Sequence, residues 1–270
     1  MSLPAPSSDG VVVVTGASSG IGAELARSLS RMGHDLVLVA RRADRLEELA
    51  EELRAAHAGD VLVHAADLTT TAARDGLIGF VADAGRTIAG LCNNAGYGLS
   101  GRAWDLDLAD SRGQLELNVV ALHDLTLLVL PGMVERGHGA VLNVASGAAF
   151  QPMPGMATYA ATKAFVHAFS EALHTELAGS GVSVTTLYPG PVPTEFGDRA
   201  GFAPEQEMPG FLVVEADAVA RQAVDAMVAG RRSVIPGAGN KVTGLLGRYT
   251  PRTVLLPVMK WQAGSRIGGA

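Results

Sequence analysis

Short apolar runs alternate along the chain with longer segments whose apolar residues recur at helical spacing. Val11-Val12-Val13-Val14 is β-branched and unalternating, the pattern of a strand buried on both faces. Leu25, Leu29 and Met32 follow it four and three apart, on one face of a helix. Further strands are predicted at Leu36 to Ala40, Val61 to Ala66, Ile88 to Cys92, Val141 to Ala145 and Val182 to Leu187. Helices are predicted from Asp44 to about Ala56, around Ser111 to His123, and from Tyr159 through Leu173 to about Ala178. Such alternation predicts an α/β fold: a doubly wound parallel sheet with helices on both faces.

Composition narrows this to one large domain. Of 270 residues, 48% are apolar and 18% charged, enough for a sizeable core and against disorder. One cysteine, Cys92, excludes an internal disulfide. Residues 1–10, MSLPAPSSDG, have neither a basic start nor an apolar core and read as a flexible tail rather than a signal peptide. No apolar run approaches the ~20 residues of a membrane span, so a soluble, cytoplasmic protein is expected.

Charge is distributed unevenly. Residues 231–270 hold seven basic side chains (Arg231, Arg232, Lys241, Arg248, Arg252, Lys260, Arg266) and no acidic one. The preceding 230 residues hold fourteen basic against twenty-seven acidic, a net of −13. Residues 236–270 are expected to form a basic, apolar extension packed on the main domain, residues 11–235. Weak docking on an anionic membrane is the alternative use of that extension. The acidic body excludes nucleic acid.

The candidate chemistry sits where predicted strands end. Thr15-Gly16-Ala17-Ser18-Ser19-Gly20-Ile21-Gly22 joins a strand to a helix, and its glycines let backbone N–H groups approach a phosphate at the helix N-terminus. The second strand ends at Arg41-Arg42; a guanidinium there suits a ribose 2′-phosphate, though a solvated pair of charges is the plainer reading. Asp67 ends the third strand, able to accept from an adenine amine or to cap the next helix. Asn93-Asn94-Ala95-Gly96 ends the fourth. Asn118 is an amide stranded among Leu115, Leu117, Val119 and Val120. Ser146 ends the fifth strand, and Tyr159 and Lys163 lie four apart on one helix face. A cation beside a phenol lowers its pKa towards the range useful to a general acid, and a serine hydroxyl can hold a carbonyl oxygen beside it. His64, His123 and His174 have no metal-ligand spacing, so no metal is expected. His167 has no partner nucleophile and reads as structural.

TGASSGIG at 15–22, NNAG at 93–96, Asn118, Ser146, YAATK at 159–163 and PGPVPT at 189–194, in that order, resemble the short-chain dehydrogenase/reductase family over roughly residues 11–235. The resemblance implies a single Rossmann domain of about seven strands, a homodimer or homotetramer, and NADP(H) as cofactor. It implies Tyr159 as acid/base, Ser146 orienting the substrate oxygen, Lys163 lowering the tyrosine pKa and holding the nicotinamide ribose, and Asn118 positioning a relay water. Gly16, Ser18, Ser19, Gly20, Ile21 and Gly22 correspond to the pyrophosphate loop, and Arg41 and Arg42 to the basic position of NADP-preferring members. Asp67 and Leu68 correspond to the adenine contacts, and Asn94, Ala95 and Gly96 to the adenosine ribose region. Pro189, Gly190, Val192 and Thr194 correspond to the carboxamide region, and residues 195–212, rich in glycine, proline and aromatics, resemble the family's mobile substrate lid, with an ordinary surface loop as the alternative. Tyr97, Phe150, Met153, Met156, Phe196 and Phe202 fall in segments resembling the family's pocket walls, which implies an apolar ketone, aldehyde or alcohol as substrate. Two departures stand out: the chain lacks the Asp-Gly-Gly ending of ketoacyl reductases, and Pro193 interrupts the approach to Thr194. The expected activity is NADPH-dependent carbonyl reduction or its reverse. The alternatives are an NAD-linked alcohol dehydrogenase and a non-catalytic NADP-binding regulator.

Overall fold

The computed structural model describes residues 3–57, 59–200 and 209–267, with side chains except at 198, 199 and 262–267. Seven strands, β1 (Gly10–Thr15), β2 (Asp35–Ala40), β3 (Val61–Ala65), β4 (Thr87–Asn93), β5 (Gly139–Val144), β6 (Val182–Leu187) and β7 (Ser233–Val234), form one parallel sheet. Its order is β3-β2-β1-β4-β5-β6-β7. The winding reverses at β1, so the crevice at the carboxyl ends of β1 and β4 is the topological switch point where ligands of such sheets bind.

Strand pleating sorts the apolar residues to two faces. Val12, Val14, Leu36 and Leu38 pack against Leu25 and Leu29 of α1 (Gly20–Arg31), Leu46 of α2 (Ala43–Ala56) and Met227 of α7 (Ala216–Val228). Val11, Val13, Val37 and Val39 pack on the other face. There they meet Leu77 of α3 (Thr71–Asp83), Leu125 and Met133 of α4 (Leu108–Arg136), and Leu173 of α5 (Ala157–Glu176). Full burial of each such side chain contributes ~1.5–3 kcal/mol, so this two-sided core dominates stability. The short α6 (Phe196–Ala200) follows β6, and α8 (Ala238–Tyr249) and α9 (Arg252–Ile267) end the chain.

Three expectations change. The tail is packed from Leu3 onward: Leu3 is buried in the core, Ser7 Oγ accepts from Gly10 N, and Asp9 O accepts from Thr87 N. The helix expected around 111–123 falls in the N-terminal half of the 29-residue α4, which passes through a π-helical turn at Glu116–Ala121. α4 is also long and apolar enough to cross a membrane by length and composition, because Asp124 alone is acidic between Glu116 and Glu135. Its inner face, including Ala121, Leu125, Val129 and Met133, is nonetheless buried on the sheet as a core helix.

Candidate active site

The glycine loop turns tightly off β1. Gly16 and Gly20 adopt φ of +68° and +56°, which side-chain-bearing residues rarely tolerate. A Cβ on Gly22 would lie 2.2 Å from Gly16 O, so the first turn of α1 can close on the loop only with glycine there. Ser19, the N-cap, makes no side-chain cap to that turn. Helix N–H groups without a side-chain cap suit an anion. Asn94 braces the loop from β4, its Nδ2 donating to Thr15 O (3.0 Å) and Gly16 O (3.3 Å). Thr15 Oγ1 accepts from the N–H groups of Asn94 and Ala95, both at 3.0 Å, and donates to Cys92 O at 3.2 Å.

Of the two arginines, Arg42 reaches the loop: its Nη2 donates to Ser18 Oγ (3.1 Å) and Ser19 Oγ (3.0 Å). Its Nη1 pairs with Glu195 at 2.9 Å. Arg41 is exposed, and its charge is felt at the Tyr97 phenol. Asp67 accepts from Thr69 N and Oγ1, while Thr70 caps α3, so the capping role considered for Asp67 falls to Thr70. Leu68 is buried, and Arg74, itself buried, donates to its carbonyl from Nη1 at 2.9 Å.

Ser146, Tyr159, Lys163 and Asn118 converge across β5, α5 and α4. Ser146 leaves β5 and caps a 3-10 turn at Gly147–Phe150, accepting from Ala148 N at 3.1 Å. Tyr159 and Lys163 are both buried, and Lys163 Nζ donates to Val144 O at 2.7 Å. Asn118, 1% exposed, holds the main chain of Tyr97 from both sides: Oδ1 accepts from its N–H (3.1 Å) and Nδ2 donates to its C=O (2.9 Å). Its Nδ2 also donates to Thr162 Oγ1 at 3.3 Å, one turn of helix from Tyr159. Gly96 keeps the space between these groups open, since a Cβ there would lie 3.0 Å from Asn118 Oδ1 and 3.7 Å from Lys163 Nζ.

Lys163 Nζ lies 5.8 Å from the centre of the Tyr159 ring. Burial dominates, pushing the phenol up to about 12, with a hydrogen bond to Ser146 pulling weakly the other way. Burial also lowers Lys163 to about 8.

The apolar wall holds most of the expected residues. Ala148, Met156, Tyr159 and Ala200 form one buried cluster with Met153 and Phe196 against it, and the Tyr159 and Phe196 rings are 5.4 Å apart. Tyr97 points instead to α4, where its Oη donates to Asp110 O. Phe150 is not at the pocket: it is buried with Leu122, Val166 and Tyr188, under Gly244 of α8. The turn after Ser146 directs it inward, a consequence invisible in its sequence position. Phe202 lies outside the described residues. Pro189 O accepts from Gly147 N, Gly190 packs against Asn240, and Val192 is buried. Thr194 lies beside Gly20, its methyl 3.0 Å from where a Cβ would stand, so Pro193 does not displace it from the loop.

Sequence reasoning missed Thr15, Arg74, Thr162 and Glu195 as bracing residues. A polar residue closing an apolar strand was the available sign for Thr15; nothing local marked the others. His167, read as structural, contacts Tyr188 Oη through Nδ1 at 2.6 Å.

The short chain dehydrogenase family model matches residues 10–202. The chain is 41% identical over 200 residues to sulfoacetaldehyde reductase 2 of Chromohalobacter salexigens, covering 70% of this chain and 78% of that one. It is 39% identical over 191 residues to the NADP-dependent 3-hydroxy acid dehydrogenase of Escherichia coli, covering 70% and 75%. Its fold is similar to that of a short-chain dehydrogenase from Sphingobium yanoikuyae in complex with NADPH, with TM-score 0.77, 35% identity, and coverage of 92% and 95%.

Proposed function

The chain belongs to the short-chain dehydrogenase family, and from that premise we propose that it reduces an apolar ketone or aldehyde with NADPH, or runs the reverse oxidation. It is an oxidoreductase acting on CH–OH groups and a binder of NADP(H). The residues present fit that cofactor. Gly16, Gly20 and Gly22 and the N-terminus of α1 would hold the pyrophosphate, Arg42 and Arg41 the 2′-phosphate, Asp67 and Leu68 the adenine, and Lys163 the nicotinamide ribose. The cofactor, when bound, supplies the hydride.

The chain's own part is proton delivery and orientation. Ser146 hydrogen-bonds the carbonyl oxygen while Tyr159 Oη gives its proton to the oxygen as negative charge develops there. The observation that carries this reading is the buried Tyr159 beside Ser146. The phenol is protonated at neutral pH, the form a reduction needs at its start. Asn118 positions this site through Tyr97 and Thr162.

An apolar substrate is supported by the side chains packed round Tyr159, Ala148, Met153, Met156, Phe196 and Ala200, all uncharged. Assembly into a homo-oligomer is supported by the exposed apolar side chains of α4 and α5, Leu115, Leu127, Leu128, Val134 and Phe165. The test is a nicotinamide absorbance screen with both cofactors, comparing apolar ketones and aldehydes with sulfonated and carboxylated ones. Faster turnover of a substrate carrying two or more negative charges would overturn the apolar assignment.

A further inference from the structure

The last two helices turn apolar residues outward. On α8, Val242, Leu245, Leu246 and Tyr249 fall at helical spacing and all are exposed, Tyr249 at 71%. The opposite side of α8 is the packed one: Gly244 lies against Phe150, and Gly247 against Phe150 and Gln151. On α9, Val254, Val258 and Trp261 recur four and three apart, and Trp261 is 81% exposed, while Leu255 turns inward. Every charged residue from 238 to the end is basic: Lys241, Arg248, Arg252, Lys260 and Arg266. Arg248 reaches back to Glu171 at 3.9 Å, and Lys241 and Lys260 are exposed.

We propose that α8 and α9 form a peripheral docking element for an anionic lipid bilayer. Apolar stripes flanked only by cations match such an interface in both respects: headgroup phosphates for the lysines and arginines, the acyl boundary for the stripes. Tyr249 and Trp261 carry the amphipathic rings favoured at that depth. The net charge of −13 over residues 1–230 repels the same surface, which leaves the C-terminal element as the side that docks. Thr250 and Pro251 divide the element into two short helices that lie on a bilayer rather than span it. Asn240, at the start of α8, donates to Leu212 O at 2.9 Å, so the docked element adjoins the end of the 195–212 segment.

The test uses the full-length protein with vesicles of phosphatidylcholine alone and of phosphatidylcholine mixed with phosphatidylglycerol, read by co-sedimentation. Binding is expected only to the mixed vesicles and is released by salt. Lys241→Gln and Lys260→Gln should each weaken it about fivefold, and Val258→Glu with Trp261→Glu should abolish it. The thermal shift on adding NADPH should remain as in the unmodified protein, showing that the fold is intact. Equal sedimentation with both vesicle types, or no sedimentation by a folded protein, overturns the proposal. So does a glutamate variant that lowers the oligomeric mass in solution while vesicles bind neither form, since a second copy would then cover the stripes.

Discussion

Helix α1 near the start of the chain and helix α9 at its end are both built on recurrent apolar residues, and they place them oppositely. α1 turns Leu25 and Leu29 into the sheet with no exposure at all, whereas α9 leaves Val254, Val258 and Trp261 in solvent. The difference lies in what each helix finds to cover. α1, α2 and α7 already occupy one face of the sheet and α3, α4 and α5 the other, so a late helix meets no open strand surface. α8 gains a foothold where Gly244 and Gly247 let it approach Phe150 and where Asn240 is buried against Gly190 and Leu212, and α9 buries little beyond Leu255. Apolar spacing therefore makes a helix amphipathic, but the topology decides whether its stripe becomes core or interface.

This contrast can be broken or sharpened by substitution. The largest effect is expected at the site that the packed end holds: Tyr159→Phe should lower kcat by ~10²–10⁴-fold while NADPH binding survives. A variant keeping more than about a tenth of the activity, a barrier change under ~1.4 kcal/mol, would remove Tyr159 from the proton-donor role. Leu25→Ala should cost ~2–5 kcal/mol in denaturant unfolding, because a fully buried site collapses poorly around the cavity. A loss below ~1 kcal/mol would mean that α1 does not anchor the core as described.

Next in size is cofactor choice. Arg41→Asp and Arg42→Gln should each cost ~1.5–3 kcal/mol in kcat/KM for NADPH, with NADH little affected. Equal kcat/KM for both cofactors in the unmodified protein would refute the 2′-phosphate assignment.

A smaller, pH-dependent effect follows from Lys163, whose pKa burial lowers from 10.5 to about 8. Between those values the unfolded chain binds the extra proton, so stability from this group rises with pH across the window. The unmodified protein should gain on Lys163→Met as pH climbs from 8, by at most ~1.4 kcal/mol per pH unit. A stability difference, unmodified minus variant, that falls or stays flat with pH would contradict the burial-driven shift. Trp261→Ala should change unfolding free energy by less than ~0.5 kcal/mol, as befits a side chain without packing. A loss comparable to that of Leu25→Ala would place Trp261 in a contact made in solution and erase the contrast between the two helices.

Much of the site was legible because its signals are local. The glycine loop needs particular residues at particular φ values, a Tyr and Lys four apart share a helix face, and each motif follows a strand whose apolar run is itself plain. Three-dimensional context was needed to see that Asn118, out of place among leucines and valines, faces Tyr97 and Thr162 from a π-helical turn. It was needed equally to see that Phe150, six residues short of Met156, belongs to a different cluster. The Arg42–Glu195 pair joins residues far apart in the chain, and no spacing rule reaches that distance.

What the sequence determined by itself is the strand–helix alternation, the phosphate loop and the Ser146, Tyr159 and Lys163 chemistry, each set by neighbours within a few residues. Tertiary structure alone decided how deeply the Tyr159 phenol is buried, which pushes its pKa up, and that the lysine four positions away donates to Val144 O. It alone decided, too, that Leu3 packs into the core while Trp261 stays outside, because burial depends on which surface folding leaves open and not on the residue's own hydrophobicity.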